Sequence, residues 1–334
     1  MKEKRPIDIK RERGGGADIG TKEDGAIIEM FKLGNKLIVI KEKSVYDFNF
    51  ADDIDPERKH PNLPSNTQKL ILDIGTESIM FSRIFLTAKN LFKSEFLSPD
   101  VNVEDALNLT LEAIQEFKVL ENEINEYLTL EKIAIEEYDE RKNKPVSHAV
   151  PSIPNLTTRC KTIFQKIDHI SQIQMDLIRM FFPDFSKKRY YSHLPEFIEE
   201  KFGTEDTFTQ FARDILYMIE LTRNIRNCLD HRRTEITIQD FELQVSSDIF
   251  SPTIEMRYNG SELERISLSA FLENVMENMI QTFENFMPYL CSKNIRNDSI
   301  MPVEVSLIPE KRRRNKNIKY AYWSPLGDGG YFHQ

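Results

Sequence analysis

From Val101 to Lys144 the chain runs without a proline or a glycine. Along it Val103, Leu107, Leu111, Ile114, Phe117, Ile124, Leu128 and Ile135 recur mostly at three- and four-residue steps, the spacing that puts side chains on one face of an α-helix. Pro99-Asp100 supplies an N-terminal signal ahead of it. The segment reads as one long helix, or two with a small break, and its apolar stripe is core by default.

Other segments carry the same period. Leu70, Ile74, Phe81, Ile84, Phe85, Ala88 and Phe92 predict one helix; Ile163, Ile167, Ile170, Met175, Ile178 and Phe182 predict another after Pro154, stopped by Pro183. A further helix begins near Thr204, whose hydroxyl can cap it with Thr207 or Asp206 close behind. It carries Phe208, Phe211, Ile215, Ile219, Ile225 and Leu229 and closes on His231-Arg232-Arg233, where cations suit the negative end of the helix dipole. The last starts at Ser269 and runs through Phe271, Val275, Met279, Phe283 and Phe286 to Pro288. Lys187 to Gly203 reads as a loop with a short helical piece.

Strand signals are shorter. Ile27, Ile28 and Phe31 precede Gly34-Asn35 and Leu37 to Ile40 follow it, a hairpin pattern. Thr234 to Asp240 alternates, and Ile254, Met256 and Tyr258 before Asn259-Gly260 repeat that character, which predicts a β-ribbon. The expected fold is mainly α: an antiparallel helical bundle with small β-hairpin additions and about 55% helix, above the one-third base rate. The expected organisation is a flexible arm over 1–25, a β-hairpin and Pro-rich connection over 26–64, a helical domain over 65–290 holding the ribbon at about 234–260, and a basic tail over 291–334 with some strand character around Val303 to Leu307.

The 334 residues are 40% hydrophobic and 30% charged, ample for a buried core. The net charge of −9 argues against coating nucleic acid through bulk electrostatics, so any polyanion must be held locally. Basic clusters lie at Lys10 to Arg13, Lys187-Lys188-Arg189, His231-Arg232-Arg233 and Lys311-Arg312-Arg313-Arg314. Cys160, Cys228 and Cys291 have no ligand spacing, and Gly14-Gly15-Gly16 lacks the strand and the Gly-Lys-Ser/Thr of a phosphate loop. The charged N-terminus and the lack of about 18 consecutive apolar residues predict a soluble cytoplasmic protein with no membrane contact.

Chemistry concentrates in Arg226-Asn227-Cys228-Leu229-Asp230-His231. At 100° per residue Asn227 and His231 share one helical stripe, and Arg226 and Asp230 a neighbouring one. Histidine can shuttle a proton near neutral pH, arginine can grip a phosphate bidentately, and asparagine can orient either. That set suits RNA cleavage by the ribose 2′-hydroxyl, which needs no metal ligands. A competing reading has Arg226 paired with Asp230 at i,i+4 while the cations after Leu229 merely complement the helix end. His60, His148, His193 and His333 read as surface residues, and His169, between Ile167 and Ile170, as a histidine inside the bundle.

The string Arg226-Asn227-x-x-x-His231, late in a helix of a helical domain, resembles the signature of the HEPN superfamily, over roughly Thr67 to Leu290. The resemblance implies a metal-independent endoribonuclease of toxin or anti-phage defence type, without a cofactor. Arg226 and His231 would be the catalytic pair and Asn227 the polar assistant, with Asp230, Arg232 and Arg233 contacting RNA. It implies a homodimer whose two-fold axis joins two copies of the motif, and an antitoxin or another defence-system partner. Non-catalytic members bind nucleotides or proteins as regulatory modules, which is the alternative. Both catalytic positions are expected at an accessible cleft, so alanine there should spare the fold.

Overall fold

The computed structural model describes residues 5–12, 17–142, 149–185, 190–246, 248–297 and 302–334. Gly14-Gly15-Gly16, Arg13, His148 and the Lys187-Lys188-Arg189 cluster lie outside them. The chain divides into two compact units, a central one of Glu112–Asn294 and a terminal one of Met1–Leu111 with Ile295–Gln334.

The terminal unit opens with helix α1 (Pro6–Glu12) and continues through β1 (Ile27–Leu33), β2 (Lys36–Lys41), β3 (Val45–Phe50), the short α2 (Ala51–Ile54) and β4 (Asn66–Leu72). The four strands form one antiparallel sheet in chain order. Gly34 turns β1 into β2 with φ +61°, and a Cβ there would sit 2.7 Å from a Glu104 carboxylate oxygen. Ile38, Val39, Ile40 and Val45 are fully buried. A helical stretch follows, α3 (Ile79–Phe81), a π-turn over Ser82–Leu86 and α4 (Thr87–Leu91).

Helix α1 carries no buried apolar residue and is tied down by charge. Arg11 bonds Asp52 at 2.8 Å and Asp55 at 3.2 Å, while Arg58 reaches Asp8 and Asp52. The Arg5 bond, helped by Arg58, holds the Asp8 carboxyl down at about 2; Arg58 lowers Asp52, and the His60 and Lys59 amides lower Asp55. These carboxyls titrate below the unfolded value near 4, so their contribution is present above pH 4 and lost as pH falls towards 2. α1 is therefore expected to detach in that window, read as coil-like amide resonances for residues 7–12. Unchanged resonances at pH 2 would refute the electrostatic account.

In chain order there follow α5 (Val103–Arg141), an unbroken helix that resolves the one-or-two question, then α6 (Leu156–Phe181), α7 (Leu194–Phe202) and α8 (Thr207–Asp230). Next come β5 (Ile236–Gln239), the two-stranded β6 (Glu242–Leu243) and β7 (Ile249–Phe250), β8 (Thr253–Tyr258), β9 (Ser261–Ser267) and α9 (Leu268–Ser292). The ribbon is a three-stranded sheet, order β5-β8-β9. Inside the central unit Phe117 of α5 meets Phe283 of α9 edge-on, and Phe164 of α6 lies against Phe271. The cap of α8 is Asp206, which accepts from the Phe208 amide at 2.9 Å, while Thr204 donates to Glu199. α9 does not stop at Pro288 but runs through it to Ser292, because Phe286, Met287, Leu290 and Cys291 around the proline are fully buried.

The last elements are β10 (Glu304–Leu307), β11 (Tyr320–Ser324) and β12 (Tyr331–His333), a fourth antiparallel sheet. It belongs to the terminal unit, where Asn90 donates to the Tyr320 carbonyl and the Tyr322 hydroxyl to the Leu91 carbonyl, both at 2.8 Å.

A mainly α bundle with small hairpins is therefore not what forms. The described residues form a mixed fold, 49% helix and 20% strand in four antiparallel sheets. Two segments account for the difference. Leu70 and Ile74 stand four apart and read as helix, yet Asn66–Leu72 pairs with β3 because its main-chain groups complete that sheet. The basic tail is a sheet whose Tyr320, Tyr322 and Phe332 suit strands and whose Ala321 and Tyr322 are fully buried. Among the described residues no helix is long and apolar enough to cross a membrane.

Candidate functional site

The last turns of α8 lie in the central unit between α6 and the ribbon. Two contacts fix them to the ribbon: buried Asn224 donates to Ser261 at 2.9 Å, and Tyr217 donates to the Glu262 carbonyl at 2.7 Å. Towards α6 stands Arg226. Its Nη2 donates to Asp168 at 2.6 Å, and its Nη1 donates to Asn227 at 3.0 Å and lies 3.5 Å from Asp230. Asp168 is only 8% exposed and also accepts from Gln172. A buried carboxylate needs such partners, since desolvating an unpaired charge is costly. The result is a guanidinium held at both nitrogens in one orientation.

Asp230 extends the network to α6, accepting from Gln165 at 3.0 Å and pairing with Lys161 at 3.1 Å. Burial pushes its carboxyl up, but the Lys161 and Gln165 bonds prevail and hold it below the usual carboxylate range.

Arg226 also lines a cleft of about 330 Å³ along the α6–α8 seam. Asp168, Met175 and Arg179 come from α6 and Ile219, Arg223 and Arg226 from α8. Exposed Tyr190 joins the lining, with the Arg223 guanidinium 4.9 Å from its ring centroid. A cation over an aromatic face beside a fixed arginine can receive a stacked base and its phosphate.

The sequence-predicted residues separate into two groups. Arg226, Asn227 and Asp230 are joined side chain to side chain. His231 is the C-cap of α8 and exposed, and it is absent from the cleft lining. Its link to Asn227 is the helical one, its amide donating to the Asn227 carbonyl at 3.1 Å. Arg232 follows in the left-handed region at φ +50°, and the Arg233 amide returns to the Cys228 carbonyl at 2.9 Å, closing the helix in a Schellman-type turn. Arg233 lies over Tyr258, 4.8 Å from its centroid, and faces Glu235.

A left-handed arginine costs about 1–2 kcal/mol relative to glycine's freedom. Arg232→Gly is thus expected to raise the unfolding free energy by about 0.5–1 kcal/mol once glycine's own unfolded-state entropy is set against it. Urea denaturation of the pair checks this; a less stable glycine variant would mean that the Arg232 side chain contributes contacts of its own.

Asp168, Arg179, Tyr190 and Arg223 escape the sequence reading. Arg223 was readable, three residues before Arg226 and so on the same helix face. The others lie on other elements, and only a lone acid between Ile167 and His169 hinted at Asp168. His169 is not inside the bundle: its side chain is 55% exposed and its Nδ1 lies 3.7 Å from Glu116. His193 sits in the 3-10 turn Tyr191–His193 and accepts from the Tyr190 amide. Set against family models, curated proteins and solved structures, the chain matches none of them.

Proposed function

We propose that the central unit is a metal-independent endoribonuclease, acting as a homodimer in the cytoplasm as a toxin or anti-phage effector under the control of an antitoxin or other defence-system partner. The observation that carries this reading is Arg226, fixed by Asp168 and Asn227 on a cleft wall beside the Arg223–Tyr190 pair, with accessible His231 just over one turn further along α8. In the reaction a base takes the 2′-hydroxyl proton, the 2′-oxygen bonds to phosphorus, and the 5′-oxygen leaves with a proton from an acid. The products are a 2′,3′-cyclic phosphate and a 5′-hydroxyl. Arg226 matches the charge that grows on the phosphorane. One histidine supplies one of the two proton transfers, and the same residue of a second copy supplies the other.

Incubation of mixed RNA with the protein in EDTA is expected to give cyclic-phosphate ends, with a rate per chain that rises with concentration until the dimer saturates. Loss of cleavage in EDTA, or linear phosphate ends, would overturn the reading. His231's absence from the cleft lining favours a second one, a nucleotide- or protein-binding module in which Arg226, Arg223 and Tyr190 hold a ligand without cutting it. Ligand binding to this cleft with intact RNA would select it.

A further inference from the structure

The terminal unit contains a second cleft, about 660 Å³, inside the range of small-molecule sites. Its lining is apolar at Ile28, Leu86 and Ile318 and cationic at Lys89, Lys93 and Arg314, with the amides of Asn90 and Asn315 among them. The three cations are not equivalent. Lys89 is paired with Glu29 and lies over the Phe31 ring, and Arg314 donates to the Gln334 main-chain oxygen at 3.1 Å. Lys93 is partly buried just past α4, and its ammonium has neither a hydrogen bond nor an ion pair among the described residues.

Such an ammonium is costly where it stands. Burial pulls its pKa down, and Lys89 and Arg314 reinforce this against the opposing pull of Glu95. The field of Lys93 also adds to the burial that lowers His333, whose ring is held by Ser324 and faces Phe96. A lining with three cations and one carboxylate, Glu29, is incomplete without an anion. The apolar residues of the same lining ask for something more than an anion.

We infer that this cleft binds a phosphorylated small molecule with an apolar or aromatic half, the chemistry of a nucleoside monophosphate, with its phosphate on Lys93 and Arg314 and its base or apolar group against Ile28, Leu86 and Ile318. The amides of Asn90 and Asn315, bonded to the Tyr320 carbonyl and to Ser82, also line the cleft. The site is independent of the proposed ribonuclease centre and shares no residue with it.

Calorimetric titration of the full chain with AMP, adenosine and inorganic phosphate tests the inference. AMP is expected to bind saturably, with adenosine and phosphate each at least tenfold weaker. Lys93→Met, and Lys93→Gln as its polar counterpart, should each weaken AMP by tenfold or more without lowering the melting temperature, since both remove an uncompensated charge. Arg226→Lys should leave AMP binding unchanged. The inference fails if AMP shows no saturable binding, if adenosine binds as well as AMP, if both Lys93 variants bind normally, or if Arg226→Lys abolishes binding, which would place the nucleotide in the other cleft.

Discussion

Alanine at His231 is expected to remove about 10² to 10⁴ of the RNA-cleaving rate, the usual worth of a general acid or base, and to leave the melting temperature where it was. The ring is exposed at a helix end, where substitutions typically cost under about 0.5 kcal/mol. Arg226→Ala should lose a similar factor through the phosphorane's unmatched charge, but it is not the clean control that the sequence promises. Removing Arg226 strands Asp168, 8% exposed, with Gln172 as its remaining partner, and orphaned buried acceptors cost about 1–3 kcal/mol. Arg226→Ala with Asp168→Asn should regain part of that stability and none of the activity. Cleavage and melting measured on the same preparations decide the matter. Unchanged cleavage in both single variants would eliminate this centre, and recovered cleavage in the double variant would assign Arg226 a structural role.

Phe208→Ala should cost about 3–5 kcal/mol, the range for large aromatic truncations in a core, against a typical total stability of 5–15 kcal/mol. Phe208 is fully buried in the first turn of α8, next to the Asp206 cap. Its ring stacks on Tyr289 at 5.0 Å and 7°, meets Phe286 edge-on at 5.9 Å, and neighbours Phe182 and Phe202. The Lys293 ammonium covers the same cluster, lying over Phe202 and paired with Asp206. Truncation would open a hole where four rings and a helix cap meet. Phe208→Leu, which keeps much of the volume, should lose less than half as much. Urea denaturation reads both; a loss below about 1 kcal/mol in the alanine variant would mean that the rings close over the gap.

Legibility followed the range of the interaction. Helices α5, α6, α8 and α9 were readable because their burial is periodic and their ends carry local signals. The Gly34-Asn35 hairpin and the Asn259-Gly260 turn were readable for the same reason. β4 was misread, since a strand completing a sheet takes its order from a neighbour more than from its own spacing; the strand character around Val303 to Leu307 is β10, whereas β11 and β12 were hidden because β11 pairs with β10 across a long connection. The candidate site shows the same division. Arg226, Asn227 and His231 stand in one string, whereas Asp168, which decides where the Arg226 guanidinium points, is on another helix and 58 residues away. Nothing local tells His231 that the next residue will turn left-handed and leave its ring outside the cleft.

The central unit is interposed within the terminal one, and this fixes an order of birth on the ribosome. Residues Glu112–Asn294 are continuous and can close on themselves as soon as they emerge, whereas Met1–Leu111 must wait for Ile295–Gln334. At about 5–20 residues per second that wait lasts roughly ten to forty seconds, during which Asn90 lacks the Tyr320 carbonyl and Leu91 lacks the Tyr322 hydroxyl. The nascent chain would thus acquire its α6–α8 cleft before its Lys93–Arg314 cleft, and premature termination in between would release a chain with the first and without the second.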